Sequence, residues 1–307
     1  MIARGRWLLF APFLFAGVFL LVWYAVWRAG AEAMRAALAD FAADEAAAGG
    51  EVAYAPMRAR GFPFFLRGEA DAFSIARGKY RLDAETIYLH ASPFDLRRIV
   101  FSASPSLRLQ TPSGVWAIRT EGARASLEQV DGGWLFKAEA ASLDGVNGDM
   151  SVKTGRGVIN VAPDAAGAYK VSFRVLDADL NNARGETRLA RLDGALTAAE
   201  KPLALTIHAL DGEIGAARLR LSGALARDDE GFAAGRLDAA IENPAALMEA
   251  LTILGAVKPD KARTVEAGLA LLAAAGGGRL SAPVEFKSGE TTLAGVRIAS
   301  APRLGQP

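Results

Sequence analysis

The stretch Tyr169-Lys170-Val171-Ser172-Phe173-Arg174-Val175, written YKVSFRV, places a bulky apolar residue at every second position. Successive side chains of a β-strand point to opposite faces. This period therefore puts Tyr169, Val171, Phe173 and Val175 on one face and Lys170, Ser172 and Arg174 on the other. The same period recurs along the chain. Tyr80, Leu82, Ala84, Thr86 and Tyr88 alternate with Lys79, Arg81, Asp83 and Glu85. Trp134, Phe136 and Ala138 alternate with Lys137 and Glu139, and Leu203, Leu205 and Ile207 with Thr206 and His208. Asp-Gly pairs at 131–132, 144–145, 193–194 and 211–212 supply turn chemistry between such runs. The recurring Leu-Asp-Gly at 143–145, 192–194 and 210–212 reads as reused hairpin chemistry, because its spacing is irregular.

No βαβ alternation appears, so the expected fold is mainly β with some α, built on a long antiparallel meander of about a dozen strands. That is too many for a flat open sheet. The meander is expected to curl, giving a groove, a flattened barrel or a sandwich.

Working back to the N-terminus, the period becomes helical. From Trp7 to Trp27 the chain reads WLLFAPFLFAGVFLLVWYAVW without a charge over about 21 residues, long enough at about 1.5 Å per residue to cross a hydrocarbon core of about 30 Å. Trp7 at one end and Trp23, Tyr24 and Trp27 at the other suit the two interfaces. A cleavable signal peptide ending at Ala29-Gly30-Ala31 is the competing reading, but its apolar region would exceed the usual span of about 7–15 residues. Residues 1–28 are read as a transmembrane anchor. Residues 29–50 are read as a helical stalk with Met34, Leu38 and Phe41 as its apolar stripe and Gly49-Gly50 at its end.

Residues 51–307 form the β-rich domain. Near its C-terminus Asn243 before Pro244 predicts a capped helix start, with Leu247, Leu251 and Leu254 on one face and Gly255 closing it. A second helix from Pro259 to Gly276 would complete a helical hairpin over about 244–276, laid on an exposed apolar sheet face or its end. Two strands, around Pro283–Lys287 and Thr291–Ile298, are expected to turn at Ser288-Gly289 as a final hairpin.

A formal net charge of +1 gives no bulk electrostatic reason for nucleic-acid binding, and the absence of cysteine removes disulfides, thiolate catalysis and Cys-ligated metals. The two histidines, His90 and His208, sit in separate strand patterns. Asp144, Asn147 and Asp149 lack the distal acidic ligand of a calcium loop. Gly276-Gly277-Gly278 follows a helix instead of opening one, the wrong context for phosphate. No nucleophile-and-base motif is present. No catalytic residue, cofactor or metal is assigned, and the chain is expected not to be an enzyme.

What remains is surface. Phe64, Leu66, Tyr80, Leu82, Trp116, Trp134, Phe136, Tyr169 and Phe173 recur on one face of many strands, with Ile118 beside them. They form either a closed core or an apolar groove for acyl chains. The segment RARGFPFFLRG, Arg58–Gly68, begins the sheet: Gly61 and Pro63 mark a strand start or edge bulge. From there Phe64, Leu66, Ala70 and Ala72 are expected on one face, and Arg67, Glu69 and Asp71 on the other. Phe62 and Phe65 break the alternation and are candidates to pack on the stalk or helical hairpin or to touch the membrane.

Gly61-Phe62-Pro63-Phe64, His90-Ala91-Ser92-Pro93-Phe94-Asp95-Leu96, Leu109-Gln110-Thr111-Pro112-Ser113-Gly114 and Ala123-Arg124-Ala125-Ser126-Leu127 carry a family likeness. So do Gly289, Gly295-Val296-Arg297-Ile298 and the closing Ala301-Pro302-Arg303-Leu304. Together they resemble an alphaproteobacterial single-span family, domain of unknown function 2125, and distantly the AsmA-like envelope proteins. Phe65 stands where a basic residue commonly follows the Gly-Phe-Pro-Phe motif. The resemblance implies a single-pass inner-membrane protein with a periplasmic domain and no assigned activity. Arg4 and Arg6 before the span nearly balance Arg28 and Arg35 after it, so the orientation rests largely on that resemblance. The expected function is non-enzymatic binding or shielding of lipid or another apolar ligand. The alternative is a structural scaffold docking onto another envelope protein.

Overall fold

The computed structural model describes residues 5–92, 95–164, 167–200, 203–255, 279–293 and 295–304. Among these the chain forms twenty strands and two α-helices, in two compact units, Met1–Ser104 and Pro105–Pro307. The expected architecture of an apolar N-terminal helix, a long antiparallel strand meander, a short helix and a final hairpin is observed, with more strands than the expected dozen.

In the first unit α1, Gly5–Ala47, is one continuous helix. The segment expected as a stalk is not a free spacer. Trp27, Ala31, Met34 and Leu38, at helical spacing, are buried against a sheet. That sheet comprises β1 (Gly50–Ala53), β2 (Arg58–Arg60), β3 (Leu66–Arg77), β4 (Tyr80–Ser92) and β5 (Asp95–Ala103). Both β1 and β2 pair with β3, which pairs with β4, which pairs with β5, all antiparallel. Register partners Leu66 with Ala91 and Ala70 with Ile87 put one small apolar patch under the helix. Helix and sheet meet closely at Gly68, where an added Cβ would stand 2.6 Å from Met57 Sδ and 2.9 Å from Met34 Sδ.

The second unit begins with β6 (Ser106–Thr111), β7 (Gly114–Glu121), β8 (Arg124–Val130), β9 (Gly133–Ala140), β10 (Ser142–Asn147), β11 (Met150–Thr154) and β12 (Gly157–Pro163). These do not pair strictly in sequence order. β6, β7, β10 and β11 form one series and β8, β9 and β12 another. The long strand β13 (Ala168–Asn182) receives both, β12 along Tyr169–Val175 and β11 along Asp179–Asn181. From β13 onward the strands follow as a meander: β14 (Gly185–Glu200), β15 (Leu203–Ile214), β16 (Ala217–Arg227), β17 (Ala233–Glu242), β18 (Arg279–Lys287), β19 (Glu290–Leu293) and β20 (Val296–Ser300). The strand expected over Thr291–Ile298 is two strands, β19 and β20, with Gly295 in a left-handed backbone (φ 81°) between them.

The helix α2, Pro244–Ile253, starts as its sequence predicts, the Asn243 side chain accepting from the Ala246 N–H at 3.4 Å. Leu247, Met248 and Ala250 pack on Ile214, Ala217, Ile241, Leu280, Ala282 and Leu293 to form this unit's core, with Leu251 and Leu254 at its edge. Asn182 Nδ2 donates to Ile253 O at 2.6 Å and ties the helix end to the β13–β14 turn. The second helix expected from Pro259 to Gly276 lies outside the described residues.

Candidate functional site

Strand register turns the sequence period of two into an amphipathic sheet. Ala138, Ile159, Phe173, Gly194, Leu210, Leu221, Ala239 and Ala282 are successive partners from β9 through β18. Phe136, Val161, Val171, Leu196, Ile207, Gly223, Leu237 and Val284 form the next row on the same face. The rows survive a bulge in β15, where the register slips between Ile207 and Leu210. The extra residue keeps Leu203, Leu205 and Ile207 on the same face as Leu210 and Gly212.

This face changes character along the sheet. At the α2 end, Leu237, Ala239, Ile241, Leu280 and Ala282 are buried. On β6–β12 not one apolar side chain is buried. Phe136 and Val161 are half-buried, while Trp134 and, on β13, Tyr169 are 47% and 46% exposed. Sequence periodicity could not distinguish these two ends, because covered and open strand faces have the same alternation.

The Leu-Asp-Gly recurrences are not turns, with a consistent physical reason. Asp144-Gly145, Asp193-Gly194 and Asp211-Gly212 lie inside β10, β14 and β15; of the four Asp-Gly pairs only Asp131-Gly132 is a turn. In each internal copy the glycine falls on the apolar face beside a side chain from the neighbouring strand, which fills the space at Gly194, crowds it at Gly145 and leaves ordinary contact at Gly212. A Cβ on Gly145 would stand 3.2 Å from Trp116 Cε3, on Gly194 2.3 Å from Phe173 Cε1, and on Gly212 3.4 Å from Leu192 Cδ1. At Gly145 and Gly194 the glycine thus seats an aromatic side chain close to the sheet backbone.

The aspartates face the opposite way, into a charged surface. Arg174 Nε and Arg191 both donate to Asp193, and Arg220 Nε donates to Asp211 at 2.7 Å. Burial pushes Asp193 upward, but the bonds from Arg174 and Arg191 outweigh it and hold the carboxyl below its ordinary value. Glu139 accepts from Arg124 and Arg156 and is likewise held low. Exposed pairs of this kind contribute little stability individually. Their consequence is polarity: this face suits water and the other does not.

The candidate groove residues divide by this geometry. Trp116, Trp134, Phe136, Tyr169 and Phe173 lie on the second unit's apolar face, with Ile118 directly across from Gly145. Leu66 does not belong to an open surface: it is 0% exposed beneath α1. Phe64 precedes the strand, which begins only at Leu66, and sits in a turn at 82% exposure. Tyr80 is exposed at the β3–β4 hairpin opposite Arg77, and Leu82 is half-buried opposite Ile75. Ala72, expected beside Ala70, instead has a left-handed backbone (φ 51°) and is exposed.

Phe62 and Phe65 also separate. The 61–65 turn is closed by bonds from the Phe64 and Phe65 amides to Gly61 O, both 3.1 Å, and contains a cis Phe62–Pro63 peptide. It is fastened to α1 by Trp23 Nε1 donating to Pro63 O at 2.6 Å and Trp27 Nε1 to Phe65 O at 2.9 Å. Phe62 meets Tyr24 and Trp27 edge-on, with centroids 5.4 and 5.8 Å apart. Phe65 remains 55% exposed.

Other chemistry-bearing residues are dispersed. His208 Nε2 shares a 2.8 Å hydrogen bond with Thr197 Oγ1, and His90 is the register partner of Arg67. Asn147 Nδ2 donates to Ser113 O. Among the described residues no group of three or more His, Asp or Glu side chains could hold a metal ion.

A family model described as "Uncharacterized protein conserved in bacteria (DUF2125)" matches residues 27–302. The chain belongs to this family. The DUF2125 match begins at Trp27, where α1 first becomes buried against the sheet, so it includes the helix–sheet packing and both apolar-face rows. No curated protein and no solved structure matches the chain. Ahead of the DUF2125 match, α1 is long and apolar enough to cross a membrane, a property shared with signal sequences.

Proposed function

We propose that this chain is a non-catalytic, single-pass inner-membrane protein whose periplasmic β domain binds or shields the acyl chains of lipid on the apolar face of its second unit. One observation carries the reading: Trp116, Ile118, Trp134, Phe136, Ile159 and Val161 of β7, β9 and β12 lie on one face and none is buried. Contact with an acyl chain would remove that surface from water, contributing about 0.8 kcal/mol for each buried CH₂ without a precise polar site. The arginine–carboxylate surface on the opposite face keeps the sheet wetted on one side only.

Native mass spectrometry of the full chain, released from cell membranes in mild detergent, tests this. The wild type should retain phospholipid, and Phe136→Glu should lose it because a charge on the apolar row is costly to cover. Retention unchanged by Phe136→Glu would overturn the assignment. A co-purified protein lost in the same variant, without lipid, would favour the scaffold.

A further inference from the structure

We propose that the Phe62-Pro63-Phe64-Phe65 turn is a second membrane contact, seated in the lipid interface beside the point where α1 leaves the bilayer; this rests on reading α1 as a span. Trp23 and Trp27 occupy the last two turns of the charge-free run, and the next residue, Arg28, carries the first charge. In an isolated interfacial helix their indole N–H groups would bond lipid or water. Here the carbonyls of Pro63 and Phe65 accept them.

The turn is therefore fixed at the depth of residues 23–27. At about 1.5 Å per residue, Trp23 lies about 7.5 Å to the membrane side of Arg28. Phe62 meets Tyr24 and Trp27 with one edge and stays 41% exposed, while Phe64 and Phe65 project at 82% and 55% exposure. Neighbouring helix residues Phe19, Leu20 and Val22 are also exposed, so the phenylalanines extend an apolar surface that already requires lipid. Each nearby arginine has a carboxylate partner on β3, beyond the turn: Arg58 pairs with Asp71, and Arg60 and Arg67 share Glu69. The occupant is the acyl–headgroup boundary of the bilayer, held by aromatic side chains instead of by a bound lipid molecule.

The chain contains no cysteine, which permits single-site labelling. Full-length Phe64→Cys, Lys79→Cys and Gly17→Cys would each carry an environment-sensitive fluorophore in phosphatidylcholine–phosphatidylglycerol vesicles containing doxyl-labelled lipid. Residue 79, in the β3–β4 turn, is about 40 Å along the strand from Leu66 and reports the distal end. Severalfold stronger quenching at 64 than at 79, greatest with a shallow doxyl group, is the expected result. Quenching at 64 no stronger than at 79 would overturn the inference. Position 17 reports separately on the span: strong quenching there with none at 64 sinks the turn alone, whereas none at 17 sinks the anchor.

Discussion

Phe173 and Gly194 face each other across β13 and β14, and the phenyl ring occupies the volume that a side chain at 194 would need. A Cβ there would stand 2.3 Å from both Cε1 and Cζ of the ring. Glycine in a strand interior ordinarily weakens it by exposing backbone and supplying nothing to pack. Here the neighbouring ring covers that backbone, and the same arrangement recurs with Trp116 and Gly145. The apolar face can thereby carry aromatics close to its backbone.

Gly194→Ala is expected to destabilise the protein by about 1–3 kcal/mol through overpacking. Phe173→Ala should remove the conflict, so the double variant should lose less than the sum of the two single losses. Denaturation of the detergent-solubilised chain, followed by tryptophan fluorescence, supplies the three values. Strict additivity would mean that the ring and the glycine do not share that space.

Truncation should separate closed from open apolar surface. Leu66→Ala, beneath α1, should cost about 2–5 kcal/mol by leaving a cavity. Trp134→Ala, at 47% exposure, should cost less in the same denaturation assay despite removing the larger side chain. Equal losses would place Trp134 in a closed core.

Trp27→Phe keeps an aromatic side chain but removes the N–H that Phe65 O accepts, a loss of about 1 kcal/mol for the hydrogen bond, to which the smaller buried ring adds a cavity cost. Hydrogen exchange at the amides of Phe64 and Phe65, both bonded to Gly61 O, should accelerate while the β3–β4 amides keep their protection. Unchanged exchange at 64 and 65 would show that the helix does not hold the turn.

Burial, and then the charge of Arg67, lower the His90 pKa from its ordinary value of 6.5. The unfolded chain consequently binds the proton more readily, so His90 costs nothing above pH 6.5 and subtracts stability as pH falls below it. The melting temperature of the wild type should fall more between pH 7.5 and 5.5 than that of His90→Gln. An identical fall in both would assign the acid sensitivity elsewhere.

The sequence period identified YKVSFRV as a strand and its apolar face because backbone alternation is local. Asn243-Pro244 likewise announced α2, since capping involves only neighbouring residues. Burial was not local. Leu66 and Phe173 share the same pattern, yet one is sealed by a helix whose contacting residues lie some thirty positions away and the other is half-buried between its strand partners Ile159 and Gly194. The Asp-Gly pairs misled for a related reason: their identity suggests a turn, whereas their phase within Leu192, Gly194 and Leu196 fits an uninterrupted strand. Phase was the stronger signal. In RARGFPFFLRG the glycine and proline marked the edge of the sheet, but only the indole bonds explain why the phenylalanines gather there.

Contact between acyl chains and the apolar face of the second unit can be read directly. Photo-crosslinking the full chain, in native membranes, to phospholipid carrying a diazirine in its acyl chain locates that contact, and peptide mapping reads the positions. Adducts are expected on the peptides containing Phe136, Val161 and Phe173 in addition to those on α1. Adducts confined to α1 and the 62–65 turn, with none from β6 through β13, would contradict it.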